Sequence, residues 1–427
     1  MEICMDKHIL SEIIVDQKEA LLPNNFIPRE KTEKLRRQMK SGEIIILTGI
    51  RRCGKSTLLQ QTRKAYDAAD YYMNFDDERL LNFTVNDFQV LYELFIELFG
   101  LQSAFFFDEI QNVEGWERFI RRLHDAGNKI YITGSNASML SRELGTRLTG
   151  RHVQINLFPF SFREFLAFEK VDYDTKALST RKKGEIKGSF NRYFELGGFP
   201  DYISTENREY LKSLYESIIY RDIIVRYKLA NEKALKELVF FSAGNVGKEI
   251  SFNSLKEMTG LKSASSIKEY FGYLENSYLL FLVPRFDYSL KRQIYTGKKV
   301  YFIDPGLSQT VGFRSSQDRG RLLENIVYLE LKRKEREIYY HKIKKECDFI
   351  IKEGLNIVEA IQVAASLGDA KTRKRELSGL LEAMDTHDLK EGLILTEDEE
   401  ETIEEKGRKI IILPVWKWLI GLAGNQQ

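Results

Sequence analysis

Cysteine and proline are scarce in this sequence, with only 3 cysteines and 7 prolines in 427 residues. Cys4, Cys53 and Cys347 are too far apart along the chain to indicate a disulfide framework or a cysteine metal cluster. This usage excludes the class of small disulfide-stapled secreted domains. It favours a protein of the reducing cytoplasm.

Segments that would enter a membrane or a secretion pathway are also lacking. The longest apolar stretch near the end, residues 411–424, is interrupted by Lys417 and is too short to span a bilayer comfortably. The first fifteen residues, MEICMDKHILSEIIV, are too acidic and too interrupted for a secretory signal. We therefore expect a cytoplasmic protein with no membrane partner.

An excess of one charge is missing as well. The 65 Lys and Arg residues nearly balance the 63 Asp and Glu residues, which leaves a formal net charge of +2. Any affinity for nucleic acid must therefore come from local basic patches. With 43% hydrophobic and 30% charged residues, the composition is that of an ordinary folded protein. Its length leaves room for about three domains.

The sequence does contain a phosphate-binding pattern, GIRRCGKST, at positions 49–57. An apolar, β-branched run precedes it and an amphipathic segment to Tyr66 follows, so a buried strand, a glycine loop and a helix are predicted in that order. Backbone N–H groups at a helix N-terminus favour phosphate, which disfavours the alternative of a turn with an incidental lysine. The predicted nucleotide-binding residues are Gly49, Gly54, Lys55, Ser56 and Thr57.

Each residue of this pattern has a chemical reason. Gly49 and Gly54 let the backbone come close to a ligand, because no Cβ stands in the way. Lys55 is expected to reach the β- and γ-phosphates, and the Ser56 hydroxyl is expected to hold Mg²⁺.

A second apolar run, AFFF at positions 104–107, ends in two acids, Asp108 and Glu109. A buried strand that delivers Asp108 at its carboxyl end places a carboxylate next to the metal, and Glu109 is then the candidate base for an attacking water. A strand that runs into a solvated turn is the competing interpretation. The distance of this run from the glycine loop fits a βαβ core.

A third apolar run, KIYITGSN at positions 129–136, predicts a strand with a small polar tip. Ser135 or Asn136 would orient the attacking water, and we assign Asn136; a plain Gly-Ser-Asn turn remains an alternative. Among the arginines that follow, Arg147 and Arg151 are candidates to stabilise transition-state charge in their own site or in a neighbour's. We assign Arg151 as the catalytic arginine, although a surface role is equally open.

The succession LTGIRRCGKST, FFFDEIQNVEGWE, ITGSN, LTGR, LFPFSFREF and GGFP resembles the AAA-type ATPases of bacteria and archaea in which an uncharacterised C-terminal domain follows the ATPase module. The resemblance covers nearly the whole chain, and the series is far more specific than any single motif. It implies ATP as the nucleotide. It also implies a C-terminal domain similar to the restriction-endonuclease fold.

The expected fold class is α/β: a P-loop parallel sheet with a helical lid, then a winged helix and an α/β restriction-endonuclease-like domain. The predicted bounds are 1–168 for the ATPase core, 169–231 for the lid, 232–305 for the winged helix and 306–427 for the last domain. The basic segment KRQIYTGKK, from Lys291, lies between two apolar runs and is a candidate wing against a DNA backbone. A purely architectural winged helix is the alternative.

The last domain tests the resemblance. Restriction-endonuclease-like sites hold Mg²⁺ with two carboxylates while a lysine polarises water. Glu324 and Asp348 fit two of the acidic positions, but Gln362 and Ala364 stand where an acid and a lysine are expected. Glu359 lies on the opposite face of the same strand by alternation. We therefore predict a catalytically degenerate domain.

Two functions follow from these motifs. The first is an ATPase whose hydrolysis moves the winged-helix and C-terminal domains, with DNA as the candidate ligand. The second is a nucleotide-regulated protein-binding scaffold without significant turnover. An arginine acting in a neighbour's site would require an oligomer.

Overall fold

The computed structural model describes residues 5–19, 26–66, 69–136, 150–312 and 319–422. The chain divides into two compact units, residues 1–157 (unit 1) and 158–427 (unit 2). The four-domain division expected from the sequence stays a prediction. Along the described residues, no helix combines the length and the apolar character needed to cross a bilayer.

Unit 1 alternates strands and helices. Its helices are α1 (Lys7–Glu19), α2 (Thr32–Gln38), α3 (Lys55–Tyr66), α4 (Phe88–Phe99) and α5 (Trp116–Asp125). Its strands are β1 (Ile44–Thr48), β2 (Tyr71–Asn74), β3 (Ala104–Asp108), β4 (Lys129–Gly134) and β5 (His152–Asn156). The three predicted strands and the predicted helix after the glycine loop are therefore present.

The strands of unit 1 form a parallel sheet in the order β2-β3-β4-β1-β5. Every residue of β1 and β3 is buried, as their continuous apolar runs predict. Register pairs Thr48 with Gly134 and Phe107 with Ile132. The carboxyl ends of β1, β3 and β4 therefore meet at one edge of the sheet.

Side-chain alternation along the strands divides the core of unit 1 between the two sheet faces. Phe105 and Phe107 of β3 join a cluster that includes residues of α1, α4 and α5. The ring of Phe106, between them, stacks on the ring of Tyr131 with centroids 4.4 Å apart. Tyr66 of α3 packs against Phe106 in a T-shaped arrangement with centroids 6.0 Å apart. The helices thus cover both faces and leave the carboxyl edge for loops.

Unit 2 begins with helices and continues with two sheets. Its helices are α6 (Phe162–Phe168), α7 (Thr180–Leu196), α8 (Pro200–Thr205), α9 (Arg208–Ser217), a π-helix (Ile218–Val225), α10 (Glu232–Gly244), α11 (Phe252–Thr259), α12 (Ala264–Asn276), α13 (Leu290–Tyr295), α14 (Pro305–Val311), α15 (Arg319–Arg333), α16 (Ala370–Thr386) and α17 (Val415–Leu419). Its strands are β6 (Glu249–Ile250), β7 (Leu280–Pro284), β8 (Lys298–Phe302), β9 (Glu337–Lys342), β10 (Glu346–Glu353), β11 (Asn356–Val363), β12 (Glu391–Thr396), β13 (Glu401–Glu405) and β14 (Arg408–Pro414).

The two sheets of unit 2 differ in their pairing. A three-stranded antiparallel sheet has the order β6-β8-β7. A six-stranded mixed sheet has the order β13-β14-β12-β11-β10-β9, with parallel pairs at β11-β12 and β12-β14. The predicted wing is an antiparallel hairpin in which α13 separates β7 from β8.

The GGFP motif explains one junction inside unit 2. Asp304, at the N-cap of α14, accepts hydrogen bonds from the Leu307 N–H at 2.8 Å and from the Gly198 N–H at 2.6 Å. A Cβ at Gly197 would lie 2.2 Å from Asp304 Oδ1, so only glycine fits there. Burial raises the pKa of Asp304 to about 6, although these N–H groups favour its charged form. The motif therefore joins α7 to α14.

Candidate active site

The loop between β1 and α3 needs glycine at two positions for reasons inside the protein. Gly49 has φ +152° and Gly54 has φ +98°. A Cβ at Gly49 would lie 2.0 Å from the Leu157 carbonyl oxygen, and one at Gly54 would lie 2.9 Å from Arg29 Nη1. Gly49 therefore permits close contact with the chain that leaves β5, and Gly54 permits close contact with Arg29.

Lys55 is the first residue of α3, and its side chain is 3% exposed. Its Nζ donates a hydrogen bond to the Ile50 carbonyl at 3.1 Å and lies 3.6 Å from Glu109 Oε1. Ser56 and Thr57, which follow it, are exposed at the N-terminus of α3. Lys55 and Glu109, which are 54 positions apart in sequence, thus meet where the carboxyl ends of the strands lie.

Asp108, the last residue of β3, is 1% exposed. Burial raises the pKa of this carboxyl to about 6, and the charge of Glu109 adds to the effect. Hydrogen bonds from Thr133 and Ser56 and the charge of Lys55 act in the opposite direction. Asp108 is therefore a buried carboxylate whose negative charge Lys55 balances only in part. The Ser56 hydroxyl, which follows the glycine loop, lies beside it.

Glu109 has a left-handed backbone, with φ 50° and ψ 38°. This conformation is uncommon for a residue with a Cβ and is found most often where the surroundings impose it. The Glu109 N–H donates to Thr133 Oγ1 at 2.9 Å, and Gln111 Nε2 donates to the Glu109 carboxylate. The backbone N–H and the carboxylate of Glu109 are thus both held in place near Lys55.

The polar tip after β4 is buried. Asn136 is 0% exposed and Ser135 is 1% exposed. Within the described part of the chain, Ser135 Oγ has no hydrogen-bond partner. The assignment of Asn136 as the water-orienting residue stays a prediction, and Ser135 remains its alternative.

Arg151 lies at the amino ends of the strands, opposite the carboxyl ends where the glycine loop and the acid pair meet. Its carbonyl accepts a hydrogen bond from the N–H of Ile44, the first residue of β1, whereas the glycine loop follows the last residue of β1. Five residues of strand separate the two edges by roughly 13 Å. The Arg151 guanidinium pairs with Asp125 at 2.8 Å. Arg151 is therefore not placed to act in its own site, and Arg147 lies outside the described residues.

Three residues of this site escaped the sequence analysis. Thr133 bonds both acids, Gln111 bonds Glu109, and Arg29 donates from Nη1 to the Cys53 carbonyl at 2.8 Å. Thr133 had one detectable signal, a polar residue inside an otherwise apolar strand. No local pattern marks Arg29, because its contact with the loop depends on how the chain before α2 folds back.

Unit 2 contains a second charged cluster at the positions singled out for a nuclease-like site. Lys299 Nζ lies 3.1 Å from Glu324 Oε1 and 2.8 Å from Asp348 Oδ1. This lysine comes from β8 and not from the strand that carries Gln362 and Ala364, and the catalytic degeneracy expected from that strand stays a prediction. Gln362 is structural: Oε1 accepts from the Asp348 N–H at 3.2 Å and Nε2 donates to Glu376 at 2.6 Å.

Comparison with known proteins identifies two regions. Residues 41–166 match a family described as an AAA domain, and residues 187–318 match a domain of unknown function, DUF8612. The AAA region contains the glycine loop, the acid pair and Thr133. The match supports the expected ATPase resemblance for unit 1 and gives no support for a restriction-endonuclease domain.

Two curated relatives align over nearly the whole chain. The uncharacterized protein MJ1544 of Methanocaldococcus jannaschii is 35% identical over 97% of this chain and 96% of its own length. An uncharacterized protein of Haemophilus influenzae is 30% identical over 92% of this chain and 98% of its own length. Among solved structures, the RuvB Holliday junction branch migration motor of Thermotoga maritima is 15% identical over 65% of this chain and 94% of its own, with a TM-score of 0.30. A TM-score this low supports no inference.

Proposed function

This chain belongs to the same family as MJ1544 of Methanocaldococcus jannaschii, with an AAA domain in its first part, and on that basis we propose that it binds and hydrolyses ATP with Mg²⁺. One observation carries the proposal: Lys55 Nζ lies 3.6 Å from Glu109 Oε1, so the phosphate-binding loop and the acid pair form one site. A lysine at a helix N-terminus with carboxylates from the neighbouring strand end is the arrangement that P-loop enzymes use for phosphoryl transfer.

The loop residues bind the polyphosphate. The N-terminus of α3, a helix of 12 residues, directs backbone N–H groups and a favourable dipole at the ligand. Lys55 exchanges its hydrogen bond with the Ile50 carbonyl for the β- and γ-phosphates. Ser56 and Thr57 are exposed at the position where the phosphates would lie.

Ser56 and Asp108 fit a magnesium ion, because a hydroxyl and a carboxylate are oxygen ligands that Mg²⁺ takes together with phosphate oxygens. The fit rests on the buried Asp108 carboxyl, whose burial raises its pKa to about 6 and which a nearby cation would hold ionised. A bound Mg²⁺ supplies charge neutralisation at the phosphates. Thr133 orients the carboxylate through its hydroxyl hydrogen bond.

Glu109 takes the proton of the attacking water, and its held backbone keeps the carboxylate near the phosphate loop. Asn136 orients that water from the end of β4. Arg151 stabilises the developing charge only from a neighbouring copy, since its own site lies across the sheet. This arrangement makes an oligomer the active form.

The experiment compares ATP binding and turnover in Lys55→Ala and Glu109→Gln proteins. We expect Lys55→Ala to lose ATP binding in calorimetry. We expect Glu109→Gln to bind ATP and to lose turnover by about 10²–10⁴-fold, the usual contribution of a general base. Turnover that survives in Glu109→Gln would show that another group acts as the base, and normal binding by Lys55→Ala would refute the site.

The proposal for unit 2 has two domains: a winged helix over residues 232–305 and a nuclease-like but catalytically degenerate domain over residues 306–427. Their ligand is DNA. The nucleotide state of the ATP site changes how they contact it. The DNA limb is supported by the segment around α13. Tyr288 and Tyr295 are 83% and 80% exposed, and the exposed Lys291 and Arg292 lie between them. Exposed aromatic rings interleaved with cations suit stacking on bases and contact with phosphates.

The proposal that DNA is the ligand is tested by measuring ATP hydrolysis by the wild-type protein with and without single-stranded or duplex DNA. We expect stimulation that Tyr288→Ala with Tyr295→Ala removes. Equal turnover with and without DNA, together with no salt-dependent binding of labelled DNA, would favour the protein-binding scaffold instead.

A further inference from the structure

The charged cluster in unit 2 is organised around a single buried ammonium group. Lys299 Nζ lies 3.1 Å from Glu324 Oε1, 2.9 Å from Glu346 Oε1 and 2.8 Å from Asp348 Oδ1. A lysine ammonium has three donors. All three therefore have a carboxylate acceptor, at a side chain that is 1% exposed.

The three carboxylates have no vacant centre between them. Nζ stands where their oxygens converge, which is the place that a divalent cation would need in order to contact them at about 2.0–2.6 Å. Consistently, no group of three or more acid, histidine or cysteine side chains is arranged to hold a metal ion in the described ranges. Tyr301 further occupies Glu324 Oε1 with a hydroxyl donor at 2.6 Å.

Burial lowers the pKa of Lys299, but the charges of Asp348 and Glu324 outweigh this effect and hold the pKa well above its ordinary value. The lysine is therefore charged at neutral pH. Breaking such a buried pair leaves an uncompensated charge and is strongly destabilising. The cluster cannot exchange its ammonium for a metal ion without that penalty.

A cavity of about 600 Å³ opens in front of this cluster, with Glu324, Glu346 and Asp348 in its lining. Its other acid, Glu376, is bonded to Gln362 and Arg375. Glu346 is further paired with Lys342 at 3.2 Å. Each of these four acids is therefore in contact with at least one cation of unit 2.

Two lysines at the cavity are not paired with an acid in this way. Lys344 and Lys345 line it, are exposed, and make no ion pair within the described part of unit 2. Their backbone N–H groups both donate to Glu382 Oε1, at 3.0 and 2.9 Å, which fixes the turn between β9 and β10. The turn thus holds two ammonium groups at the cavity wall.

From these contacts we propose that the cavity is a metal-independent binding site for a phosphate ester, in which Lys299 takes the place of a divalent cation. The uncompensated lysines attract the phosphate, and the absence of a metal position means that the bound ester is held and not cut. The site is distinct from the ATP site of unit 1, so the failure of either proposal leaves the other standing.

The metal part of the proposal is tested on nucleotide-free, full-length protein by calorimetry with MnCl₂ and by thermal unfolding. We expect no Mn²⁺ binding by the wild type and no binding by Lys299→Arg, which keeps the cation. Lys299→Met should unfold at lower temperature in EDTA and recover with Mn²⁺. The proposal would be overturned if the wild type bound Mn²⁺ and Asp348→Asn abolished that binding. It would also be overturned if Mn²⁺ did not raise the unfolding temperature of Lys299→Met.

The phosphate part uses a fluorescein-labelled single-stranded 30-nucleotide DNA in EDTA with Lys55→Ala protein, whose ATP site is disabled. We expect Lys344→Glu with Lys345→Glu to weaken binding about tenfold or more. The control pair, Lys390→Glu with Lys406→Glu, changes total charge equally and should bind like the parent. Competition by unlabelled ATP would identify a free nucleotide as the source of the phosphate, and competition by DNA alone would identify nucleic acid. Equal loss in both lysine pairs, a requirement for metal, or cleavage of the DNA would refute the site.

Discussion

The Thr133 hydroxyl on β4 donates a hydrogen bond to Asp108 on β3 and accepts one from the Glu109 N–H. One side chain thus sets the positions of both acids of the candidate active site. The parallel neighbours β3 and β4 bring it there, since their registered ends meet at the same edge.

Replacement of Thr133 with Val is expected to reduce both stability and turnover. The change leaves a buried carboxylate and a backbone N–H without their partner, which costs about 1–3 kcal/mol. Loss of an orienting group behind a metal ligand typically costs about 10–100-fold in activity. Thr133→Ser, which keeps the hydroxyl, is the control and should retain most turnover. Wild-type turnover in Thr133→Val would show that Asp108 and Glu109 need no support.

Gly49→Ala is expected to destabilise unit 1 by about 2–4 kcal/mol, since the new Cβ would lie 2.0 Å from the Leu157 carbonyl oxygen and φ is +152°. Urea unfolding measures this change without any ligand. Gly42→Ala is the matched control, because a Cβ at Gly42 meets no atom within 4 Å. Equal stability of the two variants would contradict the close contact between the loop and Leu157.

Arg151→Ala is expected to lose turnover while keeping ATP binding, because the proposed role is in a neighbouring copy. Mixing Arg151→Ala with Lys55→Ala protein should then restore part of the turnover, since the second variant supplies Arg151 to the intact site of the first. Unchanged turnover in Arg151→Ala would remove this residue from the mechanism. The pairing of Arg151 with Asp125 would then be its whole role.

His387 in unit 2 is expected to make stability depend on pH. Burial lowers its pKa to about 4, and the charge of His341 adds to this; Glu382 and Arg285 face His341. Since the unfolded chain binds this proton more readily, the stabilisation is present above about pH 6.5 and is lost as pH falls toward 4.

The difference between the pKa of His387 in the unfolded and in the folded chain corresponds to about 3 kcal/mol of folding free energy. Solvent screening at this half-buried ring reduces the expected contribution to about 1–2 kcal/mol. Thermal unfolding between pH 4 and 7 should therefore show a weaker pH dependence for His387→Gln than for the wild type. His8→Gln, at an exposed position, is the control. Parallel curves for all three proteins would contradict the prediction.

Local patterns predicted the part of the site that is contiguous in sequence. The strand before Gly49, the helix from Lys55 and the acid pair at the end of β3 were all predicted, because apolar runs, glycines and abrupt polar ends mark them directly. Since β1, β3 and β4 are parallel, their carboxyl ends had to meet. That topological rule accounts for the contact between Lys55 and Glu109 before any coordinates are known.

Contacts between distant elements could not be predicted in this way. Arg151 looked like a site residue because it follows the third strand in sequence. It precedes β5, however, and therefore lies at the amino ends of the parallel strands, away from the site at their carboxyl ends. Lys299 looked like part of a basic wing, yet it lies buried between Glu324 and Asp348.

The sequence by itself determined the phosphate loop and its acid pair, because strand, turn and helix signals are local and parallel order does the rest. The tertiary structure alone decided which side chains complete each site, namely Thr133 in unit 1 and Lys299 in unit 2. The physical reason is that an ion pair or a hydrogen bond depends on register and on the packing of elements far apart in the chain, and neither leaves a periodic trace in the residues themselves.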